Sequence, residues 1–292
     1  MTRFVRPLAI TTAVFAFALV ALSPLVRITG SGLGCGDHWP LCNGQIIPTF
    51  HDLTVAIEWG HRVAALGFGL LLVTLLIAAR GHRAVFVPAA IALVLVIPQG
   101  LLGRLAVKTE LQYGVVVIHW SAALALLALV ILAALRTGET PAPGASARAF
   151  RTVRTAFIGG ALVLVLGGLT ANLNAGFACG GFPLCQGRLW PAGAAGGLAH
   201  VQWFHRLIAY ALTLHVAALP FVFRKRSEPG SVQRAAVVLV GVLVLHIVVA
   251  AWMVEASLPL WARTAHAILG TAVWAGLVYL LWLVRPAKPT TA

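Results

Sequence analysis

"TVAIEWGHRVAALGFGLLLVTLLIAA" (residues 54–79) decides the fold. It is long and apolar enough to cross a bilayer, which takes about 20 such residues in a helix. Near its front it nevertheless carries Glu58, His61 and Arg62. Seven more runs of this kind lie at approximately 7–26, 84–103, 112–135, 154–173, 199–223, 234–254 and 261–284. The 292-residue chain is 60% hydrophobic and only 10% charged, where soluble domains carry roughly 25% charged residues. Strands of a membrane barrel would be about 10 residues long and alternate in polarity. The expectation is an all-α polytopic membrane protein with eight transmembrane helices.

The net charge of +14 could suggest nucleic acid, but its distribution argues against such a partner. Eight spans put both ends of the chain on one side. That side holds 14 of the 21 Lys and Arg residues, among them Arg3, Arg80, Arg136, Arg224 and Lys288, against five on the other, Arg27, Arg104, Lys108, Arg188 and Arg263. The excess predicts that both termini are cytoplasmic and that these cations meet anionic lipid headgroups. The first segment has the arginines and apolar stretch of a signal peptide, but Pro24 would follow the cut, so a retained first helix is expected.

The chain repeats itself. "CGDHWPLCNGQIIP" (35–48) returns as "CGGFPLCQGRLWP" (179–191), and "EWGHR" (58–62) as "QWFHR" (202–206). Cys42 maps to Cys185 at an offset of 143, His61 to His205 at 144 and His119 to His266 at 147. Two four-helix bundles of the same orientation follow, related by a pseudo-twofold axis along the membrane normal. The expected division is an N-terminal half, 1–137, a cytoplasmic linker, 138–152, rich in Pro, Gly, Ala and Thr, and a C-terminal half, 153–292.

His61, His119, His205 and His266 fall on the four even-numbered helices, each five to seven residues into its run, so on the order of 10 Å below the helix start. One intramembrane histidine can be a packing or hydrogen-bonding residue. Four in one layer at repeat-related positions point to function, because ionisable groups are costly there. Facing imidazoles are natural axial ligands of haem iron. The simplest assignment is two bis-histidine haem sites, His61 with His119 and His205 with His266. The other histidines, His38, His51, His82, His200, His215 and His246, read as structural or solvated.

The halves differ at one telling position, where Glu58 becomes Gln202. Glu58 shares a helix face with His61, and a carboxyl group can exchange protons where an amide cannot. The first half therefore reads as the place of chemistry, the second as a fixed cofactor site passing electrons. Arg62 and Arg206 could partner haem propionates or snorkel to lipid headgroups. Cys35 with Cys42 and Cys179 with Cys185 sit in the long loops on the outer side, where local disulfides are favoured; a redox role for the first pair is the alternative.

These motifs resemble haem A synthase, the bacterial CtaA and mitochondrial Cox15 family. The resemblance rests on "RITGSGLGCGDHWPLCNGQIIP", "EWGHR" and the histidines of helices four, six and eight, and spans Arg27 to His266. It implies an oxidoreductase that converts a methyl group of haem O to a formyl group through hydroxylated intermediates, giving haem A for terminal oxidases. It further implies that His61 and His119 flank the substrate haem O, that His205 and His266 ligate a haem b cofactor, and that Glu58 is the acid beside the substrate. Expected partners are haem O, the haem O synthase, an electron acceptor and membrane lipid, in the inner membrane of a bacterium. The rival from the residues alone is a di-haem b-type electron-transfer subunit of the quinol oxidoreductase kind.

Overall fold

A computed structural model describes residues 4–138, 142, 144–191 and 196–286. Arg3, Lys288 and residues 139–141 and 143 of the expected linker lie outside the described residues. Eight helices form among those described: α1 Val5–Ile28, α2 Leu53–Ala78, α3 Arg83–Lys108, α4 Tyr113–Leu135, α5 Ala147–Asn172, α6 Gly196–Lys225, α7 Gly230–Glu255 and α8 Leu260–Leu283. All eight are long and apolar enough to cross a membrane. Burial cannot account for their composition. On α7, Val237, Val238, Val244, Leu245 and Val248 are exposed, a surface stable in lipid but not in water.

The apolar runs place the helices within a few residues, and the differences have local causes. Asp52 caps α2 by accepting hydrogen bonds from the Thr54 and Val55 N–H groups at 2.6 and 3.2 Å. Helix α5 begins at Ala147, inside the segment read as linker, because its first turns are amphipathic rather than apolar. Ser146 caps it by accepting from the Ala149 N–H at 3.0 Å. The Ser146 hydroxyl also donates to the buried Glu228, and its N–H donates to Glu228 Oε2 at 3.0 Å. Proline lies within α1, α3 and α6 without ending them, as membrane helices allow.

By internal contacts the chain divides into two units. The first is Met1–Thr137 with Leu258–Thr271, and the second is Gly138–Ser257 with Ala272–Ala292. In the first, α1 packs against α2 and α4, α2 against α3, and α3 against α4, so these four helices close a bundle. In the second, α5 packs against α6 and α6 against α7, while the latter part of α8 contacts α5 through the stacked pair Phe157–Trp274, 4.5 Å between ring centroids.

Ser146→Ala removes the cap of α5 and one donor to Glu228. It should lower stability by about 1 kcal/mol, measured by reversible unfolding in mixed micelles; an unchanged midpoint would show that the cap contributes nothing.

Candidate functional site

Each unit carries one site built on the same plan: a cysteine loop laid against the first turns of the helix that bears a histidine. In the first unit the disulfide Cys35–Cys42 closes the loop. Cys42 and Gln45 exchange N–H to carbonyl bonds at 2.9 Å in both directions. Asn43 and Gly44 between them have φ of 49° and 78°, the backbone of a type I′ hairpin turn. In the second unit the disulfide Cys179–Cys185 closes the loop, and Cys185 pairs with Arg188 around Gln186 and Gly187, with φ of 55° and 72°. All four cysteines are buried. The paired cysteines read from sequence are thus disulfides, and the hairpins are an addition to that reading. Asn43-Gly44 carried the signal for one.

An arginine clamps each loop to its helix. Arg62 Nη1 donates to the carbonyls of His38 at 2.8 Å and Leu41 at 2.7 Å. Arg206 Nη1 donates to the carbonyls of Gly181 at 2.7 Å and Leu184 at 2.8 Å, the positions that the repeat aligns with His38 and Leu41. The second guanidinium nitrogen marks the difference between the units. Arg62 Nη2 pairs with Glu58 Oε1 at 2.5 Å, and Glu58 Oε2 accepts the Cys35 N–H at 2.8 Å. Glu58 is buried, so both oxygens of an enclosed carboxylate are engaged, as a buried ion pair requires. Arg206 Nη2 instead donates to the Cys179 carbonyl at 2.8 Å. Gln202, in the place of Glu58, is buried, and its Oε1 has no hydrogen-bond partner.

Odd-numbered helices tether the same loops from the side. Lys108 at the end of α3 pairs with Asp37 at 3.2 Å, and Glu255 at the end of α7 accepts the Phe182 N–H at 2.8 Å. The hydrogen bond and charge of Lys108 hold the exposed Asp37 carboxyl below the usual carboxylate range. Its contribution is therefore present at neutral pH and lost as pH falls through the Asp37 range.

His61 and His205 lie one residue before these arginines, and His119 and His266 lie on α4 and α8. His61 on α2 and His119 on α4 are close enough to interact electrostatically. The His119 ring lies over Gly103 of α3, where an added Cβ would sit 3.4 Å from its Cε1. Gln99 Nε2, one turn earlier on α3, donates to the His119 carbonyl at 2.9 Å. His205 on α6 lies over Gly167 of α5, with its Cε1 3.0 Å from the position of an added Cβ. The Nδ1 atoms of His119 and His205 are buried without hydrogen-bond partners. His266 belongs to the part of α8 that clusters with the first unit, and His205 to the second unit. Of the other histidines, His215 Nε2 bonds the Thr152 carbonyl at 3.0 Å, a structural contact. Sequence reasoning gave no role to Gly103, Gly167, Gln99 or Glu255, and their spacing carries no signal of one.

The COX15-CtaA family, described as "Cytochrome oxidase assembly protein", matches residues 6–278. The chain belongs to the COX15-CtaA family. Among COX15-CtaA relatives, proteins named "Heme A synthase" from Symbiobacterium thermophilum and Geobacillus kaustophilus are each 32% identical. The first alignment covers 96% of this chain and 95% of the relative, the second 94% and 89%. The "Heme A synthase" of Halalkalibacterium halodurans is 28% identical over 99% of both chains.

Arg206→Lys replaces a planar fork with a point charge that cannot span three carbonyls. It should speed reduction of Cys179–Cys185, followed by thiol labelling, while Cys35–Cys42 in the same molecule keeps its rate. Equal rates for variant and parent would show that the clamp does not protect the loop.

Proposed function

We propose that this protein is a haem A synthase, which oxidises a methyl group of haem O to a formyl group through hydroxylated intermediates. The observation that carries the reading is the buried Glu58 one turn before His61, which lies within electrostatic range of His119, in a chain that aligns nearly end to end with relatives named for this activity. Haem O is the substrate, held in the first unit between His61 and His119. Oxidation of the methyl group withdraws electrons and releases protons. Glu58 is the group at hand for the protons, its carboxylate held by Arg62 and the Cys35 N–H. The product is haem A for terminal oxidases.

The second site fits a haem b cofactor. A buried imidazole whose Nδ1 has no partner, against a glycine that leaves room for no side chain, is a donor suited to iron. In this reading His205 holds haem b, which supplies one-electron transfer when bound, and Gln202 keeps that site free of a titrating acid. Arg62 gives two hydrogen bonds and Arg206 three to loop carbonyls, so any role beside propionates is secondary to the clamp. Haem O synthase and an electron acceptor are the further partners. The Lys and Arg asymmetry supports an inner-membrane location with both termini cytoplasmic.

Expression beside a source of haem O, followed by haem extraction and chromatography, tests the activity; absence of haem A from a protein with normal haem spectra refutes it. Glu58→Gln should retain the haem b spectrum and yield no haem A. His205→Ala should lose the haem b spectrum, whereas His61→Ala should keep it, and the opposite pattern would reverse the assignment of the two sites. Gly167→Val should reduce haem b retention on purification, because the added methyl groups displace His205; full retention would remove this contact from the site.

A further inference from the structure

The hairpin of each cysteine loop is followed by two large apolar residues that the protein does not cover. Ile46 and Ile47 are 80% and 68% exposed; Leu189 and Trp190, their repeat counterparts, are 76% and 57% exposed. Such a pair on a water-facing loop is unfavourable, and its recurrence in both units argues against accident.

Both pairs lie beside an exposed apolar helix flank. Trp59 Nε1 donates to the Ile46 carbonyl at 2.9 Å, and Phe50 meets the Trp59 ring edge-on at 5.3 Å. Trp59 heads the face of α2 that continues through Val63, Leu66, Leu70 and Ile77, all exposed and spaced by three, four or seven residues. In the second unit Trp190 meets Phe204 edge-on at 6.1 Å, and Phe204 heads the exposed flank of α6 that continues through Leu207, Leu214 and Phe221.

Depth agrees with this placement. Helix α2 has 26 residues and α6 has 30, so they span about 39 and 45 Å. A hydrocarbon core is about 30 Å thick, which leaves roughly 9 and 15 Å of helix to share between the two headgroup zones. Trp59 lies about 9 Å and Phe204 about 12 Å from the loop ends of their helices. With the overhang shared equally, the rings of Trp59 and Phe204, which the two loops touch, fall within about 5 Å of the boundary between headgroups and acyl chains.

We propose that Ile46–Ile47 and Leu189–Trp190 insert into the adjacent lipid leaflet and anchor the two cysteine loops to it. The occupant of this surface is the acyl-chain boundary of the bilayer. It is continuous with the lipid-facing flanks of α2 and α6, and an amphipathic indole at Trp190 suits that depth.

The test uses the full protein in phosphatidylcholine vesicles, with and without acyl chains brominated near the glycerol. The fluorescence lost on Trp190→Phe, a change that keeps a ring against Phe204, isolates the Trp190 emission. That emission should be quenched by the brominated lipid and resist aqueous iodide. Ile47→Trp, at an exposed position where the fold tolerates the change, should add an emission of the same behaviour. Emission from either position that brominated lipid leaves intact would overturn the proposal for that unit: quenched by iodide, the loop lies in water; shielded from iodide, another protein covers it.

Discussion

One guanidinium holds each cysteine loop to its bundle, and the geometry of both sites depends on it. Arg62 and Arg206 each reach two carbonyls of the loop from the residue after a histidine. Hydrogen bonds to a charged group contribute about 1.5–3 kcal/mol each, enough to fix a segment with little regular structure of its own. Because Arg62 follows His61 directly, the contact that seats the loop also holds the first turns of α2, and with them the position of His61. The disulfide and the I′ turn make the loop rigid; the arginine makes it part of the helix bundle.

Charge balance separates two sites that are otherwise alike. In the first unit Arg62 meets its counter-ion at once, in Glu58. In the second, Gln202 provides none, and Arg206 spends its remaining donor on the Cys179 carbonyl, with Glu255 of α7 interacting from farther away. The substitution of an amide for an acid thus moves the negative charge from beside the histidine to the end of another helix. The first site keeps an ionisable group within one turn of its imidazole, and the second keeps none on the same face.

Much of this was legible in the residues because membranes impose simple rules. A run such as 54–79 can only be a helix in lipid, so the eight spans followed from composition. The repeat then aligned Glu58 with Gln202 and the four histidines with one another. What was not legible depended on through-space contact. Nothing in the chain indicates that Arg62 would turn toward carbonyls rather than headgroups, or that Gly103 and Gly167 would lie beneath His119 and His205. The start of α5 was missed because a capped amphipathic turn at Ala147 resembles linker composition until Ser146 and Glu228 are seen together. Asn43-Gly44 is the exception, a local turn signal carried by the residues themselves.

The clamp has a consequence for how such loops change over generations. Its arginines read main-chain oxygen atoms, which every amino acid possesses, and not the identity of the residues that present them. His38 in one loop and Gly181 in the other offer the same acceptor despite having nothing else in common. Side chains there are free to drift toward new tasks, at a lip, a ligand entrance or a surface, while the scaffold stays put.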